Sequence, residues 1–328
     1  MTEAARFAPK VVALSGGVGG AKLARGLAAV LEPDDLLIVA NTGDDFEHLG
    51  LHISPDIDSL FYALARLNDA ERGWGRKDES WNFMAALGAL GGPAWFQLGD
   101  RDLATHVVRT QRLAAGESLT DVTAALANAF GIRHQIVPMS DQSVRTRVAT
   151  PEGELDFQRY FVVEQCRPRV IGFRFAGAEG ARPSPVFAAG LASPRLEAVV
   201  ICPSNPFVSI DPILSLPGLR ERLATLSAPV IAVTPIIGGA ALKGPAAKML
   251  AELGHEVSPV GVARRYVDLL DGFVLDARDA VEAARLRALG LAVVVTSTVM
   301  RDAEGQCALA RAALELTATL RRRPAPVE

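Results

Sequence analysis

Two acidic clusters and a glycine-rich loop hold the most legible chemistry of this chain. Asp44 and Asp45 stand in the run Asn41-Thr42-Gly43-Asp44-Asp45-Phe46, and Asp56 and Asp58 follow in Ser54-Pro55-Asp56-Ile57-Asp58. Hard carboxylate oxygens suit Mg²⁺, which usually takes one or two carboxylates plus substrate phosphates. Upstream, Ser15-Gly16-Gly17-Val18-Gly19-Gly20-Ala21-Lys22 offers backbone N–H groups for such a phosphate. Each half has a simpler reading. Glycines after a strand often only make a turn, and this loop fits neither the P-loop spacing nor a strict G-x-G-x-x-G. The aspartates can equally be a turn and a helix cap. Their joint position favours the chemical reading: a phosphate cradle (Gly16, Gly17, Gly19, Gly20, Lys22) beside a carboxylate metal site.

That position follows from the elements around them. Val11 to Leu14 is a short apolar run stopping at the glycines, and Ala21 to Val30 has helical composition, so the loop joins a strand to a helix. Leu36 to Ala40 is a second buried-strand run, which puts Asp44 and Asp45 past its carboxyl end, where open α/β sheets bind ligands. Three more strand-like runs end in small or polar residues: Val199 to Cys202 before Pro203-Ser204-Asn205-Pro206, Val230 to Thr234 before Pro235, and Ala292 to Thr298. Alternation with helical patterns predicts an α/β fold, a Rossmann-like three-layer core with a mostly parallel sheet.

The middle reads differently. Residues from about 69 to 133 are mainly helical, with Asp102 and Ser118 as helix caps and Gly131 as a stop. Arg145 to Thr150 and Leu155 to Val163 flank Pro151-Glu152-Gly153-Glu154 as a hairpin. The expected organisation is a core over 1–69 and 196–320, an inserted acceptor-binding subdomain over 70–195, and a flexible tail over 321–328. In the insertion, Asp102, His106 and Arg109 lie at helical spacing, and His106 and Arg109 can face one anion. A solvated helix with surface ion pairs is the plainer alternative.

Length and composition bound the rest. The chain has 328 residues, 49% of them hydrophobic and 22% charged, as in an ordinary globular protein. A net charge of −3 gives no basic footprint for nucleic acid. Cys166, Cys202 and Cys307 lack the paired spacing of zinc or disulfide frameworks, and no run is long enough to span a membrane. A cytoplasmic location is the expectation.

The runs SGGVGGAKLARGL, NTGDDFEHLGLHISPDIDSLFYAL, FQLGDRDLATHVVRT, PMSD, PSNPFVSIDPIL and PIIGGAALKGPAAKML, in this order, resemble the 2-phospho-L-lactate transferase family of coenzyme F420 biosynthesis. The resemblance implies transfer of a phosphorylated three-carbon acid from a guanosine diphosphate-linked donor to 7,8-didemethyl-8-hydroxy-5-deazariboflavin (Fo), with Mg²⁺ required, GMP released and a homodimer as the assembly. It places Asp58 and Gln97 against Fo; Gln97 stands where some relatives carry lysine, so no charge-based role attaches to it. On this reading Asp44 and Asp58 hold Mg²⁺, Asp45 and Asp58 are catalytic, and Arg101, His106 and Arg109 join the substrate wall. Ser204 and Asn205 meet the nucleotide or the transferring phosphoryl group. Two other readings stand beside it: a dinucleotide-dependent oxidoreductase, disfavoured by the imperfect glycine fingerprint, and a non-catalytic nucleotide-binding regulator on the same fold.

Overall fold

The structure is a computed structural model and describes residues 7–320. Seven parallel strands form its central sheet: β1 (Val11–Ser15), β2 (Leu36–Ala40), β3 (Gln135–Pro138), β4 (Ala198–Ile201), β5 (Val230–Val233), β6 (Gly272–Asp276) and β7 (Ala292–Thr296). Their spatial order is β7-β6-β5-β4-β1-β2-β3. The chain therefore winds outward from β1 through β2 to β3, then crosses to β4 and winds the other way. This reversal between β1 and β4 is the topological switch point where doubly wound sheets open a ligand crevice.

Strand residues alternate between two cores. Val12, Leu14, Leu37 and Val39 pack on one face, and Val11, Ala13, Leu36 and Ile38 on the other. Burial on both faces explains why these strands read as continuous apolar runs. The second face is covered by α1 (Gly17–Val30), α2 (Pro55–Leu64) and the helix Ala303–Thr319. The last of these lies directly on α1, where a side chain at Gly26 would collide with the Gln306 carbonyl.

Between β2 and β3 come α2, α3 (Asn82–Ala89), α4 (Asp100–Ala114) and α5 (Leu119–Ala129). Between β3 and β4 lies a three-stranded antiparallel sheet of Arg145–Thr150, Gly153–Asp156 and Gly172–Ala176. The five strands expected from the sequence are all in the central sheet, and β3 and β6 join them. The short β3 begins with Gln135 and ends with Pro138, a weak strand signal, and β6 has only Phe273, Val274 and Leu275 between Gly272 and Asp276. Because β3 pairs with β2 through Leu37↔Gln135 to Ala40↔Pro138, the segment 70–195 is not one insertion. It is a helical excursion before β3 and a small antiparallel sheet after it.

Two local expectations also shift. The second hairpin strand stops at Asp156, and Arg159–Val163 is a π-helical turn. Gly99, not Asp102, occupies the cap of α4, leaving Asp102 in its first turn. Ser118 does cap α5 by accepting from the Asp121 N–H. The expected tail at 321–328 lies outside the described residues.

Candidate active site at the switch point

The glycine loop sits at the switch point, between the ends of β1 and β4. Its glycines do different things. At Gly19 a Cβ would run into the Pro203 carbonyl, and at Gly20 it would stand 2.6 Å from both Ser15 Oγ and Ser204 Oγ. Gly16 similarly abuts Ser209 and Asp56. These three let the β1 and β4 loops close on one another. Gly17 alone has open space around it, with φ +65 in the left-handed region. The loop is then fixed from both sides: Gly16 N–H donates to Ser204 Oγ at 3.1 Å and Gly17 N–H to Asp56 Oδ1 at 2.7 Å. Asn205 points elsewhere, its Oδ1 accepting from the Phe207 N–H as the cap of the turn Pro206–Ile210.

Helix α1 thus starts with neither a side-chain cap nor an acidic residue in its first turn. The leading N–H groups of an α-helix have no intrahelical acceptor. With the positive end of the helix dipole they make an anion site. Lys22 stands one turn on, its Nζ donating to the Met300 carbonyl at 3.2 Å. Burial and the nearby charge of Lys243 hold its ammonium below the usual lysine range.

The carboxylates meet beside this loop. Asn41 Nδ2 donates to Asp56 Oδ2 at 2.8 Å, and Asn41 Oδ1 accepts from the Gly43 N–H at 2.8 Å, so one amide joins both acidic segments. Asp45 Oδ2 accepts from Ser54 Oγ at 2.8 Å and lies 3.1 Å from His52 Nε2. Asp44 Oδ1 and Asp45 Oδ1 are buried with no hydrogen-bond partner, as is Thr42 Oγ1. Burial and the charges of Asp56 and Asp45 push the Asp44 carboxyl well above the ordinary carboxylate range. Burial pushes Asp56 up to about 6 against the hydrogen bonds from Asn41 and Gly17. Unpaired buried carboxylate oxygens are costly without a cation. Hard oxygen donors of this kind fit Mg²⁺.

Asp58 is differently employed. Its carboxylate faces the guanidinium of Arg109 in a two-pronged ion pair, Oδ2 at 3.2 Å from Nη1 and Oδ1 against Nη2. The expected ligand pair Asp44 and Asp58 is therefore not what gathers: the negative charge of Asp58 is met by Arg109, while Asp56 and Asp45 are the carboxylates that act on Asp44. Arg109 is fully buried and His106 nearly so, and neither lines the open cavity beside the acidic loop. Instead Arg109 Nη1 lies 3.1 Å from His106 Nδ1, and His106 Nε2 lies 3.3 Å from Asp102 Oδ2. The network ends where the Tyr62 hydroxyl donates to Asp102. Asp58, Asp102 and His106 converge closely enough to hold a cation, but Arg109 already fills that role. Arg101 and Gln97 have exposed side chains, Gln97 Nε2 donating to the Ala94 carbonyl at 2.8 Å.

A cavity of about 560 Å³ opens on the outer side of the acidic loop. Its lining brings Asp44, Asp45 and Phe46 of that loop together with Trp95, Arg145 and Arg147. Arg147 pairs with Asp156, whereas Arg145 Nη1 donates to the carbonyls of Thr42 and Val144. The Trp95 ring lies 6.1 Å from Phe46 and 5.0 Å from His48. Asn41 and Asp56 tie the two acidic segments together, though the sequence reading gave neither of them a role of its own. Asn41 begins the quoted motif, and Asp56 stands in the second acidic cluster beside Asp58.

Among the described residues no helix is long and apolar enough to cross a membrane. The cysteines are free, and burial pushes the Cys202 thiol up, far from a nucleophilic thiolate. In fold, the chain is similar to a protein of the UPF0052 family from Bacillus halodurans, with a TM-score of 0.59 at 14% identity over 94% of this chain and 99% of the other. It is 40% identical over 319 residues to a phosphoenolpyruvate transferase of Kitasatospora aureofaciens, covering 95% of this chain and 99% of that one. It is equally similar to a 2-phospho-L-lactate transferase of Methanosarcina mazei, 40% identical over 294 residues that cover 90% and 96% of the two chains. The model of the 2-phospho-L-lactate transferase CofD family matches residues 11–306, and the chain belongs to that family.

Proposed function

We propose that the protein transfers a phosphorylated three-carbon acid from a guanosine diphosphate-linked donor to the ribityl hydroxyl of Fo, with Mg²⁺ and with release of GMP. The observation that carries this reading is the junction of an uncapped helix start at Val18 to Gly20 with the unpaired oxygens of Asp44 and Asp45. An anion cradle and a cation site in one crevice fit a diphosphate. Asp44 would hold the ion together with donor phosphate oxygens, with Asp56 adjoining. When bound, the ion neutralises charge on the diphosphate.

The protein's own groups would do the rest. The first-turn N–H groups of α1 and Lys22 bind the diphosphate at the switch point. The cavity behind the acidic loop takes the deazaflavin ring against Trp95 and Phe46. Asp45, held by Ser54 and His52 through Oδ2, presents Oδ1 to the acceptor hydroxyl and takes its proton. The hydroxyl oxygen bonds to the nearer phosphorus, the bond to the bridging oxygen breaks, and GMP leaves with the electron pair. Such a reaction rests on positioning and charge neutralisation. A homodimer is the proposed assembly, on the family resemblance.

Relatives at the same 40% identity are named for phosphoenolpyruvate and for 2-phospho-L-lactate, so the acid is settled by assay. Incubating the protein with Fo, Mg²⁺ and guanosine diphosphate-linked phospholactate, phosphoenolpyruvate or phosphoglycerate should give GMP and one Fo adduct of the corresponding mass. No adduct from any donor refutes the reading.

A further inference from the structure

The small antiparallel sheet and the turn after it are clamped to the acidic loop at three successive carbonyls. Arg145 Nη1 donates to that of Thr42 at 3.3 Å, the Thr146 N–H to that of Gly43 at 2.8 Å, and Gln158 Nε2 to that of Asp44 at 3.1 Å. The cavity behind this loop is therefore lined by two segments in fixed relation: Asp44 and Asp45 come from the loop, and Arg145, Thr146 and Arg147 from the strand Arg145–Thr150. Phe46, against which Trp95 lies, comes after Asp45, whereas Arg145 and Thr146 are bonded to residues before Asp44. The lining thus has an aromatic end and an arginine end.

Charge in this lining is unbalanced in both signs. Beside the unpartnered oxygens of Asp44 and Asp45 stands a cation with no countercharge: Arg147 is met by Asp156, but among the described residues no carboxylate pairs with Arg145, whose Nη1 is spent on the Thr42 and Val144 carbonyls. Thr146 is buried, and its Oγ1 has no hydrogen-bond partner. A Cβ on Gly43 would stand 2.7 Å from that oxygen, so the glycine leaves it uncovered. A half-buried guanidinium and a buried hydroxyl are both better satisfied when an anion accepts from them. A carboxylate matches best, because its two oxygens lie in one plane with the free edge of the guanidinium, Nε and Nη2. Phosphate oxygens have other partners nearby, in the first-turn N–H groups of α1 and a cation at Asp44. Thr42 and Asp44 are two residues apart, so their Cα atoms are separated by roughly 7 Å at most. One small molecule with a phosphate and a carboxylate on neighbouring atoms fits that interval.

We propose that Arg145 and Thr146 form the subsite for a carboxylate on the transferred group, and so set the preference for an acid over an uncharged ester. This rests on the proposed function, in which the transferring phosphorus lies at the acidic loop. The transferred group is a further substituent on that phosphorus, off the line that joins the leaving oxygen to the attacking hydroxyl. It enters the arginine end of the cavity while the acceptor ring occupies the aromatic end, and the two do not compete.

Calorimetric titration of the full chain in Mg²⁺ tests it with two phosphate esters of similar size, 2-phospho-L-lactate and isopropyl phosphate, which has a methyl group in place of the carboxylate. Wild type should bind the first at least 10-fold more tightly. Arg145→Gln, which keeps a donor for the Thr42 carbonyl but removes the charge, should lose most of that preference, and Thr146→Val should reduce it; GDP should bind both variants as it binds wild type. Thermal melting verifies folding, and if Arg145→Gln does not fold, Arg145→Lys decides in its place, with the fork lost and the preference again expected to fall. A preference retained in the deciding Arg145 variant overturns the subsite. Equal weakening of both esters overturns it too, since Arg145 would then hold the phosphate, as does a wild type that binds both esters equally or neither. A carboxylate preference without any Fo adduct leaves the subsite standing and removes the transfer reading, whereas adducts formed with the preference intact in the Arg145 variant do the reverse.

Discussion

At Asp44, function and stability pull in opposite directions. Burial and like charge raise its carboxyl pKa, so its ionised form costs folding energy that its protonated form does not. A raised carboxyl pKa favours the fold at low pH, and that advantage is lost as pH rises through the folded-state pKa. Asp44→Asn should therefore abolish turnover yet melt higher than wild type at pH 7.5 without Mg²⁺, by a few degrees for each kcal/mol relieved. The gap should close on acidification, and Mg²⁺ should raise the melting temperature of wild type only; a lower melting temperature for the variant contradicts the assignment. Gly17→Val probes the other partner. Of the four loop glycines Gly17 has the most room, a Cβ there meeting only Ser209 Oγ at 3.9 Å, so the variant should weaken GDP binding by 10-fold or more while leaving Fo affinity intact, as measured by calorimetry. Sequence made the glycine loop and the Asp44-Asp45 pair legible because both are short-range patterns. It did not show that Asp56 holds the Gly17 N–H, a contact across 39 positions that only the folded crossover creates.

Helix α4 shows how an element can be read correctly and its role missed. The spacing of Asp102, His106 and Arg109 put them on one face, which reads as a substrate wall or, more plainly, as a solvated face. That face is instead turned inward, because α4 packs against the strand Leu51–Ile53, and Asp58 on α2 supplies the countercharge. α4 also grips His52 at both backbone groups: its N–H donates to Thr110 Oγ1 at 2.8 Å, and its carbonyl lies 3.5 Å from Arg109 Nη1. His52 in turn touches Asp45. Arg109 is thus a positioning residue for the acidic loop. Arg109→Met leaves Asp58 buried and uncompensated and should destabilise the protein by about 3–5 kcal/mol. Arg109→Lys keeps the charge without the two-pronged geometry. It should remain folded, with kcat reduced and GDP affinity unchanged, and equal activity to wild type would show that the fork is not needed.

On the scale of the molecule, the sheet brings the glycine loop and the acidic cluster together at its switch point. The strand-helix alternation was legible in the sequence, and with it the Rossmann-like class. The exact order was not, because β3 and β6 are short runs whose strand character comes from neighbours already in place. On the proposed function, and with no thiolate or Ser-His pair at the switch point among the described residues, direct transfer requires both substrates together. Initial-rate lines at varied Fo and donor should therefore intersect, and parallel lines would indicate an enzyme-bound intermediate. The most direct measurement of the whole account is GMP formed in a single turnover with enzyme in excess over Fo. The account predicts one GMP per Fo converted, none when Fo is omitted, and none when Mg²⁺ is removed by chelation. GMP released from donor and enzyme alone, or Fo converted with Mg²⁺ absent, would contradict it.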